Sequence, residues 1–308
     1  VAVKTGSSFG AALLAALSYA ALWGGSTAYL FTRGNEDWFT AAFVFAVFGI
    51  ALSSLAWLLT RGAEAAPVAV KRPAIESVAV IGYLLVYAIG FLGFGMTAAR
   101  AAFPEGPAEE VLVMGVKLVA HVILPALLLL MLGAKLSPLI QARLRGRWFW
   151  RTLLVLGALI LGLLCVISPS LRDIEALEPT PALLAWAAPL SFLWVAVEAG
   201  LNEEFLFRAV VQTRLTAWLG SPWIGVVLTS ILFGLAHLPG LFMRGGPGDD
   251  GWSTDPFEVA AYTIAVLSPM GLLFGLIYAR TQSLLLVVLL HALVDVLPNM
   301  SDFIRIWT

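Results

Sequence analysis

Nine runs of apolar sequence, each about twenty residues or more, leave few architectures open to this chain. They fall at 9–32, 38–60, 74–98, 110–132, 148–168, 181–219, 222–243, 257–279 and 282–300. Within hydrocarbon every backbone N–H and C=O must be satisfied inside the spanning structure, which admits only helices and closed barrels. Barrel strands need only about ten residues and alternate in character, so runs of this length predict helices. The expected fold class is all-α: a polytopic transmembrane helical bundle of about eight or nine spans.

Composition supports that reading. With 308 residues the default would be two soluble domains. Hydrophobic residues make up 60% of the chain and charged ones only 12%, against about half and a quarter for soluble domains. A net charge of −1 with no basic stripe argues against nucleic acid as a partner. The single cysteine, Cys165, lies in an apolar run, so there is no intramolecular disulfide and cysteine usage does not report the compartment. The first run is long enough to span and has neighbours like itself, so it reads as a span rather than a cleaved signal. Abundant alanine with little lysine points to a GC-rich bacterial genome.

The sixth run is nearly twice a span and contains Glu198, Glu203, Glu204 and Arg208. The expectation is one span followed by a broken or re-entrant helix around 198–219. Orientation follows from the connections. Arg61, Lys71 and Arg72 sit in one loop, and Lys135, Arg143, Arg145, Arg147 and Arg151 in another, whereas the intervening loops carry one basic residue each. Basic loops stay in the cytoplasm, which puts the N-terminus inside, in the plasma (inner) membrane. The acidic, glycine-rich connection at 244–256 then belongs to the opposite side.

Ionisable groups within spans are expensive, and each is a functional candidate by default. Lys117 and His121, four residues apart, have a plain structural reading: a snorkelling lysine and a helix–helix hydrogen bond. Glu198 is expected to find a partner within the bundle. The second half is richer. Glu204 and Arg208 have the i,i+4 spacing of a helical ion pair, which leaves Glu203 free. A carboxylate in apolar surroundings is a common route to a general base near neutral pH. A purely structural ion cluster would give Glu203 no purpose. Phe233 and His237 share a helix face, as do His291 and Asp295. A lone intramembrane histidine is more often a packing hydrogen-bonder, but two on separate helices, with Glu203 and Asp295, describe a convergent polar centre.

No Gly-x-Ser-x-Gly occurs, and Cys165 lies apart from these residues. That favours water as the nucleophile, activated by Glu203, with another side chain steadying the oxyanion. Two histidines and two carboxylates also suit zinc or iron. His-Glu-x-x-His is absent, so a metal-dependent hydrolase stands as the alternative mechanism, and the preferred reading needs no metal and no cofactor.

At these residues the sequence resembles the CAAX protease and bacteriocin-processing family, also called the ABI family, which includes the type II CAAX prenyl endopeptidases. The family signature is Glu-Glu-x-x-x-Arg, then Phe-x-x-x-His, then His-x-x-x-Asn or Asp on successive membrane helices. Here these are Glu203, Glu204 and Arg208; Phe233 and His237; and His291 and Asp295. Each motif alone is weak, and three in order with family-like spacing are strong. The resemblance covers roughly 180–300 and divides the chain into an N-terminal transmembrane region without recognisable motifs (1–175) and a catalytic helical core (176–308). It implies a glutamate-type intramembrane endopeptidase acting on a membrane-associated protein or peptide. Glu203 and His237 would activate water, His291 and Asp295 would stabilise the oxyanion, and Glu204, Arg208 and Phe233 would support the site. Asp295 would act either as a protonated donor or as an acceptor orienting His291, with the donor role favoured because the family accepts Asn there. A transporter or proton-pathway protein, and an inactive scaffold of the same fold, are the alternatives from other classes. The expected surroundings are the lipid bilayer and the substrate, with oligomeric state not readable.

Overall fold

The computed structural model describes residues 9–65, 68–140 and 146–308. Among these residues every regular element is a helix. Nine helical stretches are long and apolar enough to cross a membrane: α1 (Gly10–Thr32), α2 (Asp37–Leu59), α3 (Pro73–Ala101), α4 (Pro107–Met131), α5 (Arg147–Ile167), α6 (Pro181–Leu219), α7 (Pro222–Arg244), α8 (Pro256–Thr281) and α9 (Leu284–Trp307). The chain is a polytopic helical bundle, at the upper figure expected from the sequence.

Local chemistry sets the helix ends. Pro73, Pro107, Pro181, Pro222 and Pro256 sit in the first turn of their helices. There the missing N–H is one that has no intrahelical partner anyway. The hydroxyls of Thr180, Ser221 and Ser283 cap α6, α7 and α9 by accepting from the backbone N–H of Leu183, Ile224 and Leu286. Gly220, at φ 67°, ends α6 in the left-handed region and lets the chain turn into α7 within two residues.

The 39 residues of α6 form one helical stretch, roughly 58 Å at 1.5 Å per residue. The interruption expected at 198–219 takes the form of two π-helical segments, Ala196–Leu201 and Phe205–Gln212, flanking Asn202–Glu204. The chain does not reverse. All of its charges but Glu203 are closely paired: Glu198 with Lys117 of α4, Glu204 with Arg208, and Arg214 with Glu76 of α3. With the charges matched in place, the helix has no need to leave the bundle.

Short connections make successive helices antiparallel, so their ends collect on two sides. On one side Arg33 meets Asp255, and Asn35 donates to Glu258. On the other, Arg151 donates to the carbonyls of Leu59 and Arg61, and Arg280 donates to Thr60. This second side carries Arg61, Lys71, Arg72, Lys135 and Arg147; Arg143 and Arg145 of the same expected basic cluster lie outside the described residues. The first side carries Glu105, Glu109, Glu110, Asp173, Glu175, Asp249 and Asp250.

The core lies in the second half. α6 packs along α9 and α7 along α8, and most of α8 and α9 is buried while α1 to α5 expose most of their surface. Gly200 allows α6 and α9 to approach closely: a Cβ there would stand 2.8 Å from the Val288 carbonyl oxygen of α9. α3 and α4 lie against α6 and the far end of α7, and these contacts enclose the cavity described next.

Candidate active site

The polar centre starts with an ion pair within α6. Arg208 Nε donates to Glu204 Oε2 at 2.9 Å and Nη2 to Oε1 at 3.5 Å, with both side chains fully buried. The guanidinium lies over the Phe233 ring of α7, 5.0 Å from its centroid, a cation–π contact that also fixes the ring. Phe207 meets the same ring edge-on at 5.2 Å.

Glu204 has a second partner. His291 Nδ1 on α9 donates to Glu204 Oε1 at 2.8 Å, so one carboxylate binds a cation of its own helix and an imidazole of another. The His291 ring stacks on Phe274 of α8, with centroids 5.0 Å apart and planes 11° apart. Its Nε2 lies 3.2 Å from Asp295 Oδ2 and 3.8 Å from Glu203 Oε2. With Nδ1–H committed to Glu204, Nε2 is the ring nitrogen left to face Asp295 and Glu203.

His237 stands where α7 bends, between its segments Pro222–Ala236 and Leu238–Arg244. Its Nδ1 donates to the Phe233 carbonyl oxygen at 2.8 Å. A carbonyl only accepts, so Nδ1 carries the proton and Nε2 of the neutral ring presents a lone pair. Glu203 and His237 line one cavity of about 390 Å³, together with Phe207, Ala236, Tyr87, Lys117, His121, Arg100 and Arg244. Among the described residues Glu203 has no hydrogen bond to protein, and its ionic neighbour is His291 at 3.8 Å. His291 and Asp295 are not part of that wall and reach it through Glu203. The structure thus brings all three motifs together, and the Phe233 ring of the second lies 6.4 Å from the His291 ring of the third.

Residues that the sequence reading left outside the site also line the cavity. His121 Nδ1 donates to the Lys117 carbonyl, which leaves Nε2 to accept from the Tyr87 hydroxyl. This is the helix–helix hydrogen bond expected of His121, and it also places His121 and Tyr87 in the same wall as Glu203. Nothing in local spacing distinguishes Tyr87 from an ordinary apolar-run aromatic. Among the described residues no group of three or more His, Cys, Asp or Glu is arranged to hold a metal ion.

Residues 184–297 match the family model described as type II CAAX prenyl endopeptidase Rce1-like. This segment holds every residue of the three motifs. No curated protein and no solved structure gave a match.

Proposed function

We propose that the Rce1-like domain is the catalytic unit of an intramembrane endopeptidase, which hydrolyses a peptide bond of a membrane-associated protein or peptide. The observation that carries this reading is the shared cavity of Glu203 and His237: a carboxylate without a hydrogen bond among the described residues and an imidazole nitrogen, from two helices, lining one space. A water between them loses a proton to Glu203 while His237 Nε2 accepts its other hydrogen. The water oxygen bonds to the scissile carbonyl carbon, whose π electrons move to oxygen. A proton shared by His291 Nε2 and Asp295, beside Glu203, is the donor for that oxyanion. Collapse of the intermediate breaks the C–N bond, and the proton held by Glu203 passes to the leaving amine. Glu204 holds Arg208 and His291 in place and takes no part in proton transfer.

The basic side of the bundle faces the cytoplasm of a plasma (inner) membrane in this reading, by the excess of lysine and arginine in its loops. The cavity wall includes Arg100, Arg244, Gly245 and Asp249, at the ends of α3 and α7 and beyond, so it opens toward the other, extracytoplasmic side.

The test is mass spectrometry of anchored peptides incubated with the purified chain in detergent. Cleavage should give products whose masses sum to the peptide plus one water, and Glu203→Gln should lower the rate by roughly 10²–10⁴-fold. Cleavage undiminished in Glu203→Gln would overturn the reading. Activity should survive a strong chelator; activity lost on chelation and restored by zinc would favour the metal mechanism.

A further inference from the structure

The cavity wall contains three permanent cations, and two of them are neutralised. Lys117 is paired with Glu198, and Arg100 with Glu109 at 2.9 Å and Glu110 at 3.3 Å. Arg244 has no ion-pair partner among the described residues. The nearby acid in the wall, Asp249, is turned elsewhere: its Oδ2 accepts from the Gly246 backbone N–H at 2.8 Å. The Arg244 head group is also set in place by its own helix. A Cβ on Gly240 would stand 2.6 Å from Arg244 Nη2, so the guanidinium lies back over Gly240 in space that only glycine leaves open. Gly240 follows His237 by three residues, about 4.5 Å along the helix. A guanidinium without an ion-pair partner among the described residues is therefore held about one helical turn from the imidazole that shares the cavity with Glu203.

We infer that Arg244 is a specificity-determining residue that binds a carboxylate of the peptide substrate, within about two residues of the bond cleaved. The distance follows from an extended peptide advancing about 3.3–3.6 Å per residue. A guanidinium offers a planar fork of donors that matches a carboxylate. Because the head group lies over Gly240 and both line the cavity, a peptide in the cavity comes within its reach. This inference rests on the endopeptidase reading, and it narrows the substrate class to peptides with an acidic group beside the scissile bond.

The experiment uses the full chain in detergent and acylated, internally quenched peptides. They differ only in carrying Glu, Gln or Lys at the two positions on either side of the cleaved bond, or in a free versus amidated C-terminus. Both kcat/KM and binding by fluorescence anisotropy are read. The unsubstituted chain should favour Glu over Gln by roughly tenfold, a preference that Arg244→Gln abolishes and Arg244→Glu turns toward Lys. Gly240→Ala, which displaces the guanidinium while keeping its charge, should weaken the preference. A preference that follows the amidated terminus instead identifies the terminal carboxylate as the bound group. Equal handling of Glu and Lys peptides, or a uniform loss across all peptides in Arg244→Gln, would overturn the inference and point to a lipid-facing or structural arginine. Acid-selective binding without cleavage would leave the inference standing and sink the endopeptidase reading, while cleavage without acid selectivity would do the reverse.

Discussion

His291 on α9 and Glu204 on α6 are joined by a 2.8 Å hydrogen bond between Nδ1 and Oε1, across 87 positions of chain. Both oxygens of Glu204 are in use, one shared with His291 and the other taken by Arg208 Nε at 2.9 Å. A single buried carboxylate therefore ties the first motif to the third.

Removing one member of that arrangement strands the others. Arg208→Ala leaves Glu204 buried without its cation, a loss of roughly 3–5 kcal/mol. Thermal unfolding in detergent should show a clearly lower midpoint, and activity should fall with it. Replacing Glu204 and Arg208 together with methionine should cost less than the single change, because no charge is left unmatched. An Arg208→Ala protein that melts like its parent would count against the structural role of the pair.

Asp295 Oδ2 lies 3.2 Å from His291 Nε2. If its part is to complete the oxyanion donor, an amide of the same shape serves as well. Asp295→Asn should keep activity within several-fold of the parent, whereas Asp295→Ala should lose much more. The outcome that would reverse this assignment is a folded, inactive Asp295→Asn protein, which would mean that a negative charge on His291 is required, as when a triad carboxylate becomes an amide.

Sidedness can be read with a membrane-impermeant maleimide in a Cys165→Ala background. A cysteine at Asp250 should label in intact cells, and one at Lys71 only after permeabilisation. The reverse pattern would place the cavity's opening in the cytoplasm and change the pool of substrates accordingly.

Much of this was legible in the chain itself. Run length and apolar content give the bundle, and helical spacing alone pairs Glu204 with Arg208, brings Phe233 to 5.0 Å from the His237 ring and sets Asp295 beside His291. Spacing speaks only within one helix, however. It carries no information on which helices adjoin, so the bonds from Lys117 to Glu198, Arg214 to Glu76 and His291 to Glu204 had no signal. The charges in α6 suggested a break because each looked costly alone. Once their partners on α3, α4 and α9 are known, that cost is met locally, and the helix continues with two π segments instead.

Gly200 brings the α6 backbone against the Val288 carbonyl of α9, so the separation of these two helices is set by main chain and not by side chains that can repack. A gap closed in this way tolerates little drift: the distance from Glu204 to His291 is inherited with the backbone contact. The other wall of the cavity, with Tyr87, Lys117 and His121, comes from α3 and α4, which expose most of their surface and lie outside the matched domain. Substitutions in these two peripheral helices would thus reshape the cavity wall while leaving the Glu204–His291 frame where the backbone contact sets it.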